Sequence, residues 1–146
     1  QPLIDDEDRL VFDNPTSTEK WIEATDGTGR NYEAAKAMGV KIAFGTDMLF
    51  DPKAAARQGK MVTKLKNWFT PYEALKMVTS DNAELLMMSG PRHPYQEGPL
   101  GVIKKGAYAD LILVDGDPLQ DIGLLAANGE RLSLIVRGGK IVKQAP

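Results

Sequence analysis

Cysteine is absent from the 146 residues, and histidine occurs once, as His93. The first absence excludes disulfide scaffolds, thiol nucleophiles and thiolate metal sites. The second excludes a histidine-rich metal centre built from this sequence alone, and it leaves Ser-His-Asp chemistry a single candidate base. No apolar run approaches the roughly 20 residues of a membrane-spanning helix. Basic excess is missing too: 18 Lys and Arg stand against 20 Asp and Glu, a net charge of -2. Neither nucleic acid nor an anionic membrane is therefore expected as a partner, since no basic face is there to meet it. A phosphate loop is lacking, because Asp26-Gly27-Thr28-Gly29-Arg30 has no third glycine at dinucleotide spacing and no Lys-Ser or Lys-Thr follows. The opening residues, Gln1-Pro2-Leu3-Ile4, carry neither an initiator Met nor the basic start of a signal peptide. The expectation is that an upstream part is missing; the compartment is left open.

What is present reads as α/β. Apolar residues make up 42% and charged residues 26%, an ordinary globular balance. Residues 1–26 are acidic and irregular, leading into a short helix near Ser17–Ala24. Asp5, Asp6, Glu7 and Asp8 read as a solvated face, lacking the spacing of a calcium loop. Thr28–Met38 predicts a second helix closed by Gly39, and Val40–Gly45 a buried strand of near-continuous apolar character. A further helix is expected from Pro52 to about Trp68, slightly weakened by Gly59. Thr70, Pro71 and Glu73 form a capping box at the head of the next helix, which ends at Gly90. Residues 91–109 are turn material. Ala109–Gly116 predicts a strand, and Leu132–Lys143 a hairpin turning at Gly138-Gly139. The six methionines are expected to fill gaps in the core.

Two residues invite chemistry. Asp47 follows the predicted strand in Gly45-Thr46-Asp47. It reads as a turn former, or as a carboxylate at the strand's C-terminal end able to bind a divalent metal and accept a proton from water. On the residues alone both readings stand, with the turn the commoner. His93, between prolines, reads as a solvent-facing loop histidine. Asp115 and Asp117 are explained by turns. Met48, Leu49 and Phe50 either line a pocket beside Asp47 or pack beneath its loop.

A larger pattern joins these elements. Thr70-Pro71 with Glu73-Ala74-Leu75, Gly101 with Lys105-Gly106, Ala109-Asp110-Leu111, Asp115-Gly116-Asp117-Pro118-Leu119, and Val136 with Gly139-Lys140 succeed one another in order. Together they resemble the closing segment of the metal-dependent amidohydrolase superfamily, in its imidazolonepropionase-like and prolidase-like branch. Residues Ala37–Asp47 are similar to that superfamily's eighth barrel strand. The resemblance implies a C-terminal fragment with three parts. Residues 1–26 are an irregular acidic segment, 27–90 the last βα unit of a (β/α)8 barrel, and 91–146 part of a composite β-sandwich.

It further implies that Asp47 is both metal ligand and general base in hydrolysis of an amide or cyclic amide C–N bond. The divalent ion, zinc by expectation, belongs to the intact parent. The superfamily's His-x-His pair and its further histidines have no counterpart in this sequence, so this chain alone is expected to hold no metal and to be inactive. Its expected partners are the N-terminal remainder of the parent, or a second copy of itself, and in the parent a small amide-type substrate. A non-catalytic β-rich structural or interaction module is the alternative.

Overall fold

The computed structural model describes residues 13–47, 52–126 and 129–146. The chain forms two compact units, one ending at Lys41 and the other beginning at Ile42. The first is dominated by α1, Pro15–Ala37. Asn14 caps it, its Oδ1 accepting from the Thr16 N–H at 2.9 Å, and Pro15 stands where no N–H is needed. The helix runs unbroken through Gly27 and Gly29, so the expected division into two helices does not occur. Each glycine costs about 1 kcal/mol against alanine in a helix interior, and neither is followed by a backbone that turns aside. The end does follow the sequence. Gly39 takes φ +65°, its N–H meets the Lys36 carbonyl at 3.1 Å, and the Val40 N–H reaches back to Ala35 at 2.9 Å. Those two bonds satisfy carbonyls that a bare helix end would leave open.

Residues 40–47 are not a strand. A strand needs a ladder, and no neighbouring strand pairs with this segment among the described residues. The expected single helix from Pro52 to Trp68 is likewise divided. It becomes α2 (Pro52–Ala55), α3 (Gln58–Lys64) and a 3-10 turn over Leu65–Asn67. Leu65 is fully buried, Met61 nearly so, and both belong to a small core with Phe69, Ala74, Met77 and Ile122. α3 packs against a second 3-10 turn, Ile122–Ala126. Gly59 makes that approach possible: a Cβ there would lie 2.1 Å from the Leu125 carbonyl oxygen.

The capping box is present in full. The Thr70 hydroxyl accepts from the Glu73 N–H at 3.3 Å, and Glu73 Oε2 accepts from the Thr70 N–H at 2.8 Å. It opens α4 (Pro71–Lys76), which passes through a π-helical stretch, Met77–Asp81, into α5 (Asn82–Met87). The last 40 residues form an antiparallel sheet in the order β1 (Leu111–Val114), β2 (Leu132–Arg137), β3 (Lys140–Gln144). The β2–β3 hairpin turns at Gly138 and Gly139, with φ +53° and +75°, as the glycine pair requires. Met61 and Met77 are buried as expected, whereas Met87 and Met88 are 53% and 83% exposed. No described helix is long and apolar enough to cross a membrane. The acidic run Asp5–Asp8 and the residues Met48, Leu49 and Phe50 lie outside the described residues.

Candidate functional site

Asp47 ends the extended segment and is exposed. Its φ of +49° is the one positive value at a non-glycine residue among those described. Asp and Asn tolerate this left-handed region better than other side chains, at a cost of order 1–2 kcal/mol. Strain of this kind is kept where the surrounding structure holds it in place.

The extended segment is bonded at Phe44 by Asn82, 38 residues further along the chain. Its Oδ1 accepts from the Phe44 N–H at 2.8 Å, and its Nδ2 donates to the Phe44 carbonyl at 2.9 Å. One carboxamide therefore meets both backbone groups of one residue, as a neighbouring strand would. The opposite amide orientation would set donor against donor and acceptor against acceptor.

Asn82 stands directly after the π-helical stretch. Thr79 donates its hydroxyl to the Leu75 carbonyl at 2.7 Å and Ser80 donates to that of Lys76 at 3.4 Å, so carbonyls of the widened turn gain side-chain partners. The Lys76 ammonium is bonded to the Asp81 carboxylate. That i to i+5 pairing suits the wider turn, since α-helical neighbours lie three or four residues apart. The bond to Asp81 raises the Lys76 pKa, against some desolvation. Gly101, at φ +72°, closes over the same turn, and a Cβ there would come within 2.5 Å of the Thr79 carbonyl oxygen.

His93 is not the solvent-facing residue its loop suggested. It is buried, tilted against Tyr95 at 5.6 Å between ring centroids, and its Nδ1 has no hydrogen-bond partner. The loop curls back on itself, Tyr95 meeting Tyr108 edge to face at 5.3 Å, and so takes the imidazole inward. The aspartates of the later loop do structural work. Asp117 accepts from the Leu119 N–H at 2.9 Å, Asp121 from the Gly123 N–H at 2.8 Å, and Asp115 meets Arg131 at 3.4 Å. No three His, Cys, Asp or Glu side chains cluster for a metal among the described residues. A firmly held divalent ion takes three or more such ligands, so the described residues by themselves do not fit one.

The amidohydrolase family model matches residues 5–142. The chain belongs to the amidohydrolase family. These enzymes are generally metal-dependent. A curated relative is the ochratoxinase of Aspergillus niger, 31% identical over 112 residues, which are 77% of this chain and 21% of that protein. A solved prolidase complexed with N-methylphosphonate-L-proline is 34% identical, with a TM-score of 0.72 over 90% of this chain and 30% of its own. A solved amidohydrolase is 31% identical, with a TM-score of 0.76 over 90% of this chain and 29% of its own. This amidohydrolase chain thus spans about a fifth of the curated relative's length.

Of the residues in this arrangement, the sequence pattern singles out Asp47 and not Asn82. In Ser80-Asp81-Asn82 the asparagine passes for one of several helix-capping residues. The available signal was an Asn kept inside a helical stretch, where it is a poor helix former.

Proposed function

We propose that this chain is the C-terminal portion of a metal-dependent hydrolase of amide bonds, with Asp47 as its contribution to the reacting centre. The observation that carries the reading is the strained, exposed Asp47 at the end of an extended segment gripped from a distant helix, in a chain of amidohydrolase sequence. Residues 40–47 and the helices after them correspond in this reading to the last βα unit of an eightfold barrel. An extended chain presents the backbone groups of successive residues to opposite edges. Asn82 engages one edge at Phe44 and leaves the other for a neighbouring strand. β1, β2 and β3 belong to a flanking sheet completed by the rest of the fold.

When bound, a divalent ion, zinc in our proposal, polarises the carbonyl and lowers the pKa of water. The histidines to hold it come from outside this chain. Asp47 acts beside them as ligand and general base: its carboxylate takes a proton from the attacking water and passes it to the leaving nitrogen. The chain alone lacks the other ligands and is inactive in this reading. The solved prolidase with its proline phosphonate makes dipeptides ending in proline the first substrates to try.

The partner is the remaining part of the amidohydrolase fold. β1 exposes Leu111, Ile112 and Leu113 at 41%, 53% and 58%, and β3 exposes Ile141 and Val142 at 61% and 60%. Apolar surface of this kind marks an interface. Two measurements on the enzyme containing this chain, loaded with zinc, test the proposal. Asp47→Asn should lower kcat by roughly 10²–10⁴-fold, the usual worth of a positioned general base, with the far-ultraviolet circular dichroism unchanged. Full activity in that variant, or hydrolysis by the 146-residue chain on its own, would overturn it.

A further inference from the structure

Resting on that reading of Asp47, we infer that Asn82 is the positioning residue for it, setting its carboxylate through the backbone of Phe44. Two residues, Gly45 and Thr46, separate Phe44 from Asp47, and the direction of a side chain at φ +49° is set by the backbone that enters it. The two bonds from Asn82 fix both the height and the rotation of that backbone, because a planar carboxamide with one donor and one acceptor engaged cannot swivel. Asn82 is itself held by the helix that bears it. The π-helical stretch before it is tied by the Lys76–Asp81 ion pair and the hydroxyls of Thr79 and Ser80, and covered by Gly101. A π-helical turn displaces every later residue around the helix relative to a regular α-helix. The widened turn is thus part of what brings Asn82 to face Phe44. Asn82 touches no reacting atom; it acts through the segment.

The test has a structural arm on the 146-residue chain and a kinetic arm on the hydrolysis-competent enzyme containing it. In the first, hydrogen exchange at the Phe44 amide is compared with that at Leu65 in the core. Asn82→Ala should strip Phe44 of its protection while Leu65 keeps its own. Asn82→Asp at neutral pH keeps an acceptor for the N–H but opposes an anion to the carbonyl, so protection should fall. Below a pH of about 4 the protonated carboxyl again offers a donor and an acceptor, and protection should return. That recovery also serves if the alanine variant fails to fold, and a residue filling space alone would not show it.

In the kinetic arm Asn82→Ala should lower kcat on the order of 10–100-fold with KM little changed, the cost of misplacing a group by about an ångström. Phe44 protection that survives Asn82→Ala overturns the inference, as does wild-type kcat in that variant. If Asp47→Asn is itself fully active, the reading of Asp47 falls and the inference with it. If Asp47→Asn is dead while Asn82→Ala is not, only the inference falls.

Discussion

At Asp47 the backbone and the side chain make separate demands, and substitutions can part them. The φ of +49° is free of steric cost only for glycine and moderate for Asp and Asn. Asp47→Gly should therefore leave stability within about 1 kcal/mol of wild type, relief of strain being offset by the greater freedom of glycine in the unfolded chain. Asp47→Val, β-branched in the left-handed region, should cost about 1–2 kcal/mol or more. Urea unfolding of the three chains checks the order. Equal stability of the valine and glycine variants would mean that residue 47 does not keep its positive φ in solution. Sequence reasoning found Asp47 because a carboxylate after an apolar run is a local pattern. It could not find the positive φ, nor the inward turn of His93, because both depend on contacts between residues that the pattern does not relate.

The same division holds for whole elements. The capping box at Thr70, the Gly39 helix end and the Gly138-Gly139 hairpin were legible because each is closed within a few residues by bonds whose donors and acceptors are named in the sequence. The continuity of α1 and the break between α2 and α3 were not, since glycine and proline weaken a helix without deciding where packing will override them. Gly59 is the sharpest case. Propensity alone makes Gly59→Ala stabilising by about 1 kcal/mol. A Cβ 2.1 Å from the Leu125 carbonyl oxygen must instead push two backbones apart, an overpacking cost of about 1–3 kcal/mol. The expected sign is net destabilisation, read as a lower urea midpoint; a higher one would show that α3 does not pack on the 122–126 turn. The π-helical turn offers a pH test. Hydrogen bonding to Asp81 raises the Lys76 pKa above its ordinary 10.5. A raised folded-state pKa means that the pair's contribution is whole below the unfolded value and fades as pH climbs through the folded one. The gap in stability between wild type and Lys76→Met should be the same at pH 7 and 9 and narrow beyond the ordinary lysine range. A gap that already changes between pH 7 and 9 would contradict the pairing.

Over the whole molecule, burial and exposure are out of balance in a way that bears on what covers the sheet. Leu111 stands opposite Val136, and Val136 opposite Ile141; Leu113 stands opposite Leu134. Directly opposed residues of antiparallel strands share a face, so these five apolar side chains lie on one side of the sheet. Three of them, Leu111, Leu113 and Ile141, are more than 40% exposed. A surface like this favours association, and in the reading proposed above the rest of the fold is what covers it. Burying one leucine is worth about 1.5–3 kcal/mol, and each 1.4 kcal/mol is a tenfold change in affinity. Leu113→Lys should therefore weaken concentration-dependent self-association of the isolated chain by roughly tenfold or more in sedimentation equilibrium. It should weaken capture of the chain by the remaining part of the enzyme at least as much. Leu113 is 58% exposed and is not part of the capping box or the hairpin turn, so secondary structure should be unchanged. If the substitution leaves self-association untouched but abolishes capture, the sheet is an interface for the rest of the fold and copies of the chain meet elsewhere. If neither changes, the exposed face is not where this chain is covered, and the flanking-sheet part of the proposal fails.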